Sequence, residues 1–151
     1  MNRKKRVLFV CVENSCRSQM AEGFAGFYGR NLLEPYSAGS DPSGKVNPDA
    51  VKVMQEEGID ISRQSSKGFK DLPVKEFDYV VAMGCEDACP FVPARKQVEW
   101  DIDDPRGKSL YSFRQAREKI RAKVKNLIRS VIAESTEPEP AEKMIKPGTT
   151  G

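Results

Sequence analysis

The segment that decides the fold lies near the amino terminus: Arg6-Val7-Leu8-Phe9-Val10-Cys11-Val12-Glu13-Asn14-Ser15-Cys16-Arg17-Ser18. The apolar run that follows Arg6 is rich in valine, which is typical of a strand buried on both faces. After the segment, apolar side chains recur at helical spacing, at Met20, Ala21, Phe24, Ala25, Phe27 and Tyr28. A strand, a short loop and a helix in this order form the first half of a βαβ unit.

The same alternation continues along the chain. Clusters of apolar residues predict three further strands, at 34–38, 78–83 and 98–102. Helical patterns lie between and after these strands, and no internal repeat interrupts them. Strands that alternate with helices predict an α/β protein. We expect a three-layer, doubly wound fold around a four-stranded parallel sheet.

Two helix starts can be predicted from capping residues. Asn47 can cap a helix whose first position is Pro48, because proline is pre-organised for the first turn. Apolar residues recur at helical spacing over 113–131, and Ser112 with Gln115 is predicted to form the capping box of that helix.

The length favours one domain. The chain has 151 residues, close to the roughly 150 residues of a typical domain. We predict a single catalytic domain over 1–134 and a disordered tail over 135–151, where Pro, Glu, Thr and Gly dominate.

Charge and hydropathy narrow the classes of partner. The longest apolar run, Val7–Val12, is far shorter than the roughly 20 residues that a membrane helix needs, and no cleavage site follows it. We therefore expect a cytoplasmic monomer without a membrane partner. The net charge of +3 is too small to predict nucleic-acid binding, but it suits a small anionic substrate.

The sequence contains no histidine and four cysteines. Ser-His-Asp triads, Cys-His pairs and histidine metal sites are therefore excluded. The cysteines are Cys11, Cys16, Cys85 and Cys89. In a chain without an export signal, thiol chemistry or metal binding is expected of them more than structural disulfides.

The loop after the first strand is suited to a tetrahedral oxyanion. Backbone N–H groups of a loop that enters a helix converge on one point, and the guanidinium of Arg17 can hold two oxygens of an anion there. The same positive potential favours a Cys11 thiolate, to which Ser18 can donate a hydrogen bond. Alone, Cys11 would be interpreted as a small buried residue. The predicted anion loop comprises Val12, Glu13, Asn14, Ser15, Cys16, Arg17 and Ser18.

These residues resemble a known family. Cys11, Arg17 and Ser18 match the motif of the low-molecular-weight tyrosine phosphatase superfamily, and the segment 14–23 is more similar to its thioredoxin-coupled arsenate reductase branch. Weaker matches extend the resemblance over 7–132. The resemblance implies the phosphatase-like fold, a Cys11 nucleophile and arsenate as substrate, with phosphate or sulfate as analogues.

The resemblance also implies a general acid. The family uses the Asp of an Asp-Pro pair, which corresponds to Asp104, before Pro105; without the resemblance, an ordinary turn would be the better interpretation. Phosphatase members usually have two tyrosines after this pair, whereas this chain has Arg106-Gly107.

Two cysteines follow the third predicted strand. The resemblance implies that Cys85 attacks Cys11, releasing arsenite, and that Cys89 then takes over the disulfide. The spacing of Cys85 and Cys89 is shorter than in the best-known members, which leaves the order of the relay and the reductant open. The alternatives are unrelated core cysteines or half of a zinc site with Cys11 and Cys16. We expect no bound metal or cofactor, and thioredoxin or a similar dithiol protein as the external reductant.

The positions behind the loop complete the implied site. Some family members hold a monovalent cation there, at positions that correspond to Asn14, Glu22, Ser37 and an acidic residue near 67. This chain has Lys67, whose ammonium can replace the cation by pairing with Glu22. Cys16 is either a packing residue or the partner of Cys11 in a protective disulfide.

The function predicted on this basis is arsenate reduction for arsenic detoxification. One alternative is a tyrosine phosphatase of the same fold that uses Cys11, Arg17 and Asp104. A second alternative is an oxyanion-binding or thiol-sensing protein without catalytic activity.

Overall fold

A computed structural model describes residues 3–84 and 92–136. The strands and helices alternate along the chain, as predicted. In chain order they are β1 (Lys5–Cys11), α1 (Arg17–Tyr28), β2 (Leu33–Gly39), α2 (Pro48–Gln55), a 3₁₀ helix (Phe69–Asp71), β3 (Phe77–Ala82), β4 (Ala94–Glu99) and α3 (Leu110–Thr136).

The four strands form one parallel sheet in the order β2-β1-β3-β4. The inner strands β1 and β3 each pair on both sides and are mostly buried, which explains the continuous apolar run of β1. From β1 the chain goes to one side of the sheet to form β2, and later to the other side to form β3. The carboxyl end of β1 therefore lies where the winding direction changes, the usual position of a ligand site in such folds.

The alternation of side chains along β1 produces two apolar cores. Val7 and Phe9 face the larger core, to which α1, α2 and α3 all contribute. Leu8 and Val10 face a smaller core, whose other buried members include Leu72. Within 3–84 and 92–136, the 3₁₀ helix rather than an α-helix covers this second face.

The start of α2 confirms the predicted cap. The Oδ1 atom of Asn47 accepts a hydrogen bond from the N–H of Asp49 at 2.8 Å, and Pro48 occupies the first turn. The predicted capping box of the last helix is wrong. That helix begins at Leu110, and Ser109 Oγ accepts from the N–H of Ser112 at 3.2 Å.

The fourth strand begins four residues before the predicted 98–102 and ends three residues before the predicted end. It is an edge strand that pairs with β3 alone, and its residues Ala94–Glu99 are mostly polar and exposed. The apolar residues that suggested the later position, Trp100 and Ile102, are buried beyond the strand end.

The last helix ends at Thr136. The predicted tail over 135–151 therefore lies, except for its first two residues, outside the described part of the chain. Among the described residues, no helix combines the length and apolar character needed to cross a membrane.

Candidate active site

The anion loop connects β1 to α1 and is shaped from within by Asn14. This residue is fully buried and has a φ of 51°, in the left-handed region that asparagine tolerates. Its Oδ1 accepts from the backbone N–H of Lys67 at 2.9 Å, and its Nδ2 donates to Ser18 Oγ at 2.7 Å. Asn14 therefore braces the loop through hydrogen bonds of its side chain.

A buried glutamine fixes the outer side of the loop. Gln19 Nε2 donates to the Oδ1 of Asn14 and to the carbonyl of Ser65, both at 2.9 Å. Gln19 Oε1 accepts in turn from Gln64 Nε2 at 2.8 Å. Sequence reasoning missed both glutamines. For Gln19, the sequence does contain an indication: it is a polar residue next to the apolar stripe of a predicted helix. Burying such a side chain costs free energy unless it is hydrogen-bonded.

The nucleophile predicted from the sequence lies at the end of β1. Cys11 Sγ is 2.9 Å from Ser18 Oγ, and both side chains are buried. Because Ser18 Oγ already accepts a hydrogen bond from Asn14, its own hydrogen is free to point at the sulfur. A donor at this position stabilises a thiolate and, later, a departing thiolate.

The guanidinium of Arg17 is held at the same place. Its Nη1 donates to the carbonyl of Ile102 at 3.0 Å. Its Nε is buried and has no hydrogen-bond partner among residues 3–84 and 92–136. Buried N–H groups are normally paired, so this donor is available to an oxyanion.

Gly84 packs directly against that guanidinium. Its φ is +82°, and a side chain at this position would overlap Arg17 Nη1. Gly84 follows β3 and directly precedes Cys85 in the sequence.

Asp104 lies across the site from the loop. Its Oδ2 is 3.7 Å from Arg17 Nη2, and its side chain is partly exposed. Its Oδ1 accepts from the backbone N–H of Arg106 at 3.0 Å. The structure thus brings Asp104 against Arg17 of the loop that begins after Cys11, although the chain separates Asp104 from this loop by more than 80 residues.

Behind the loop, Lys67 faces Glu22. Lys67 Nζ lies 4.0 Å from Glu22 Oε1, to which Ser37 Oγ also donates. Burial raises the pKa of Glu22, while Ser37 and Lys67 counteract part of that rise. The predicted pairing of Lys67 with Glu22 is confirmed.

The second loop cysteine differs from the first. Cys16 is buried, and burial raises the pKa of its thiol to about 12. At neutral pH it is therefore a thiol, which is a poor nucleophile. Cys85 and Cys89, the other predicted catalytic cysteines, lie outside the described residues.

Comparison with known proteins agrees with this geometry. Residues 6–137 match the family model described as low molecular weight phosphotyrosine protein phosphatase. The chain is 39% identical over 130 residues to a glutaredoxin arsenate reductase from Synechocystis, covering 84% of this chain and 98% of that protein.

Solved structures extend the comparison. An arsenate reductase in the phosphate-binding state shares 39% identity and a TM-score of 0.76, covering 84% of this chain and 98% of the other. A thioredoxin-dependent arsenate reductase from Corynebacterium glutamicum shares 29% identity and a TM-score of 0.75, covering 88% of this chain and 64% of the other.

Proposed function

The chain belongs to the low molecular weight phosphotyrosine protein phosphatase family and is an enzyme of the arsenate reductase type; from this premise we propose how its residues reduce arsenate. The observation that carries the proposal is the placement of the Cys11 sulfur 2.9 Å from a serine donor, at the start of the loop that holds Arg17. The buried Nε of Arg17 has no hydrogen-bond partner within the described residues 3–84 and 92–136. A nucleophile beneath an anion site is what covalent attack on arsenic requires.

In the first step the Cys11 thiolate attacks arsenic. Arsenate is held by the backbone N–H groups of the loop 12–18 and by the guanidinium of Arg17. A sulfur–arsenic bond forms, and one arsenic–oxygen bond breaks.

The departing oxygen needs a proton. Asp104 supplies it in our proposal, so that the oxygen leaves as water. Its carboxyl lies 3.7 Å from Arg17 and is partly exposed, so it can contact the bound anion and take up a proton from solvent between turnovers. Positioned acids of this kind typically contribute about 10²–10⁴-fold in rate.

In the second step Cys85 attacks the sulfur of Cys11. The sulfur–arsenic bond breaks and its electron pair stays on arsenic, so arsenate is reduced by two electrons and leaves as arsenite. The product on the enzyme is a Cys11–Cys85 disulfide. Cys89 then attacks Cys85 and expels the Cys11 thiolate, which Ser18 stabilises by its hydrogen bond.

An external dithiol must reduce the Cys85–Cys89 disulfide. We propose thioredoxin, as in the relative from Corynebacterium glutamicum. A glutaredoxin system is the competing reductant, because a relative of 39% identity carries that name. Both supply two electrons and two protons per turnover, which balances the reaction.

The test is NADPH oxidation by the purified protein with thioredoxin and thioredoxin reductase, with and without arsenate. We expect consumption that depends on arsenate and disappears in the Cys89→Ser variant. Because Cys89 has no role in anion binding, that variant should bind phosphate as tightly as the wild type. Normal turnover by Cys89→Ser would contradict the relay.

The reductant is decided in a parallel assay with glutaredoxin, glutathione and glutathione reductase. Faster arsenate-dependent turnover in this assay would replace thioredoxin in the proposal. Hydrolysis of an aryl phosphate without arsenate reduction in either system would overturn the proposed function.

A further inference from the structure

Besides the contact of Arg17 with Asp104, a second ion pair connects the anion loop to the Asp104 segment at the rim of the site. Arg106 Nη1 contacts Glu13 Oε2. Glu13 belongs to the loop that follows β1, and Arg106 lies two residues after Asp104. Neither side chain has a role in the mechanism proposed above.

Arg106 also contacts the general acid directly. Its backbone N–H donates to Asp104 Oδ1 at 3.0 Å, and its Nη2 lies 4.0 Å from Asp104 Oδ2. The same Oδ2 is 3.7 Å from Arg17 Nη2. The position of the Asp104 carboxylate therefore depends on where Arg106 is held.

Glu13 provides a fixed support on the other side. Its carbonyl oxygen accepts from the N–H of Ser43 at 3.1 Å and from Ser66 Oγ at 3.0 Å. These two hydrogen bonds fix the position of the Glu13 backbone. By contrast, the Asp104 segment includes a turn in which the N–H of Lys108 bonds to the Pro105 carbonyl at 2.9 Å. The Glu13–Arg106 pair joins this turn to the supported backbone of the loop.

We propose that Glu13 and Arg106 are a positioning pair, which ties the Asp104 segment to the anion loop and so holds the acid over the Cys11 thiolate. This inference rests on the proposed role of Asp104. Charge balance supports it. The carboxylates of Glu13 and Asp104 both lie against the Arg106 guanidinium, so its positive charge is balanced at the rim of the site.

Removing the Glu13–Arg106 ion pair should affect the reaction rate more than the folding stability. Exposed ion pairs contribute little to folding stability, so removing this one should leave thermal unfolding nearly unchanged. A displaced general acid, in contrast, loses part of the rate that it provides. We expect Glu13→Gln and Arg106→Gln each to lower the single-turnover rate of arsenite release at saturating arsenate by about 10-fold. The affinity for phosphate should change less than about two-fold, because the donors of the anion site remain.

A double-mutant cycle tests the connection between the two residues. If they act only through each other, the Glu13→Gln/Arg106→Gln protein should be no slower than the slower single variant. Arg106→Lys, which keeps the positive charge, should recover most of the rate. Losses that multiply in the double variant would overturn the proposal, and so would weakened phosphate binding with an unchanged rate.

Arg114→Gln is a matched control. Arg114 forms an ion pair with Glu56 whose exposed fractions, 43% and 32%, are close to the 46% and 31% of Arg106 and Glu13. This pair joins α2 to α3 and contacts neither Asp104 nor the anion loop, so its loss should leave the rate unchanged.

Asp104→Asn separates the two proposals. If this variant is as fast as the wild type, the proposed role of Asp104 fails. If it is slow while Glu13→Gln and Arg106→Gln are both fast, only the positioning pair fails.

Discussion

At the residue scale, the site depends on the absence of a side chain at Gly84 as much as on the side chains that are present. Arg17 can hold its guanidinium between the Ile102 carbonyl and the anion loop because Gly84 has no side chain. Only the folded chain brings Gly84 and Arg17 into contact, since β1 and β3 are neighbours in the sheet.

Gly84→Ala should therefore weaken oxyanion binding. An added methyl group would displace Arg17 and remove a charge-assisted contact, which is typically worth about 1.5–3 kcal/mol, roughly 10–100-fold in affinity. Calorimetry with phosphate measures the change.

The control is Gly58→Ala. Gly58 has a φ of +79°, close to the +82° of Gly84, but no atom lies within 4 Å of an added side chain. Both variants incur the same backbone strain, so only Gly84→Ala should lose affinity. Equal losses in the two variants would show that strain, rather than overlap with Arg17, is responsible.

At the element scale, charged side chains join α2 to α3. Glu56, at the end of α2, accepts hydrogen bonds from Arg114 and Arg117 of α3. Arg117 is itself buried and also donates to the carbonyl of Val53 at 2.9 Å. These contacts hold α2 against the helix that follows the Asp104 segment.

Because of this network, the free energy of unfolding should depend on pH. Its arginines lower the pKa of Glu56 to about 2, below the usual value of the unfolded chain. Glu56 then binds fewer protons in the folded state than in the unfolded state. Its stabilisation of the fold is therefore complete above about pH 4.5 and is lost as the pH falls towards 2.

We expect Glu56→Gln to unfold at lower urea concentration than the wild type at neutral pH. The two proteins should converge near pH 2, because the wild-type carboxylate is then protonated as well. Urea titrations across this range measure the difference. A constant difference at every pH would show that the side chain acts through packing rather than charge.

At the scale of the whole molecule, the segment 64–67 supports the anion loop from behind. Gln64 and Ser65 contact Gln19, and Lys67 contacts Asn14 and Glu22. The partners are separated by 45–53 residues in the chain. The ammonium of Lys67 lies 4.0 Å from the Glu22 carboxylate, next to the position for which the family resemblance implies a monovalent cation.

We predict that activity does not depend on potassium. Exchanging potassium for sodium at constant ionic strength should change the turnover rate by less than about two-fold, because Lys67 supplies the charge within the fold. Lys67→Ala should become sensitive to the cation, whereas the exposed Lys70→Ala should behave like the wild type. A strong potassium activation of the wild type would contradict this interpretation.

The sequence alone is sufficient to predict the features that depend only on residues close together in the chain. The apolar run of β1, the Asn47 cap and the segment 11–18 each contain their own signal within a few residues. Burial on both faces, helix capping and anion binding at a helix start are local effects. For this reason the fold class and the positions of Cys11 and Arg17 could be predicted.

The remaining features could be established only from the tertiary structure. The position of β4, the cap at Ser109, the Gln19–Gln64 contact and the Glu13–Arg106 pair all depend on partners that are distant or ambiguous in the chain. An edge strand has no apolar pattern of its own, and a polar residue does not reveal its hydrogen-bond partner. These features follow from which surfaces the folded sheet and helices bring into contact, and that is a property of the whole chain.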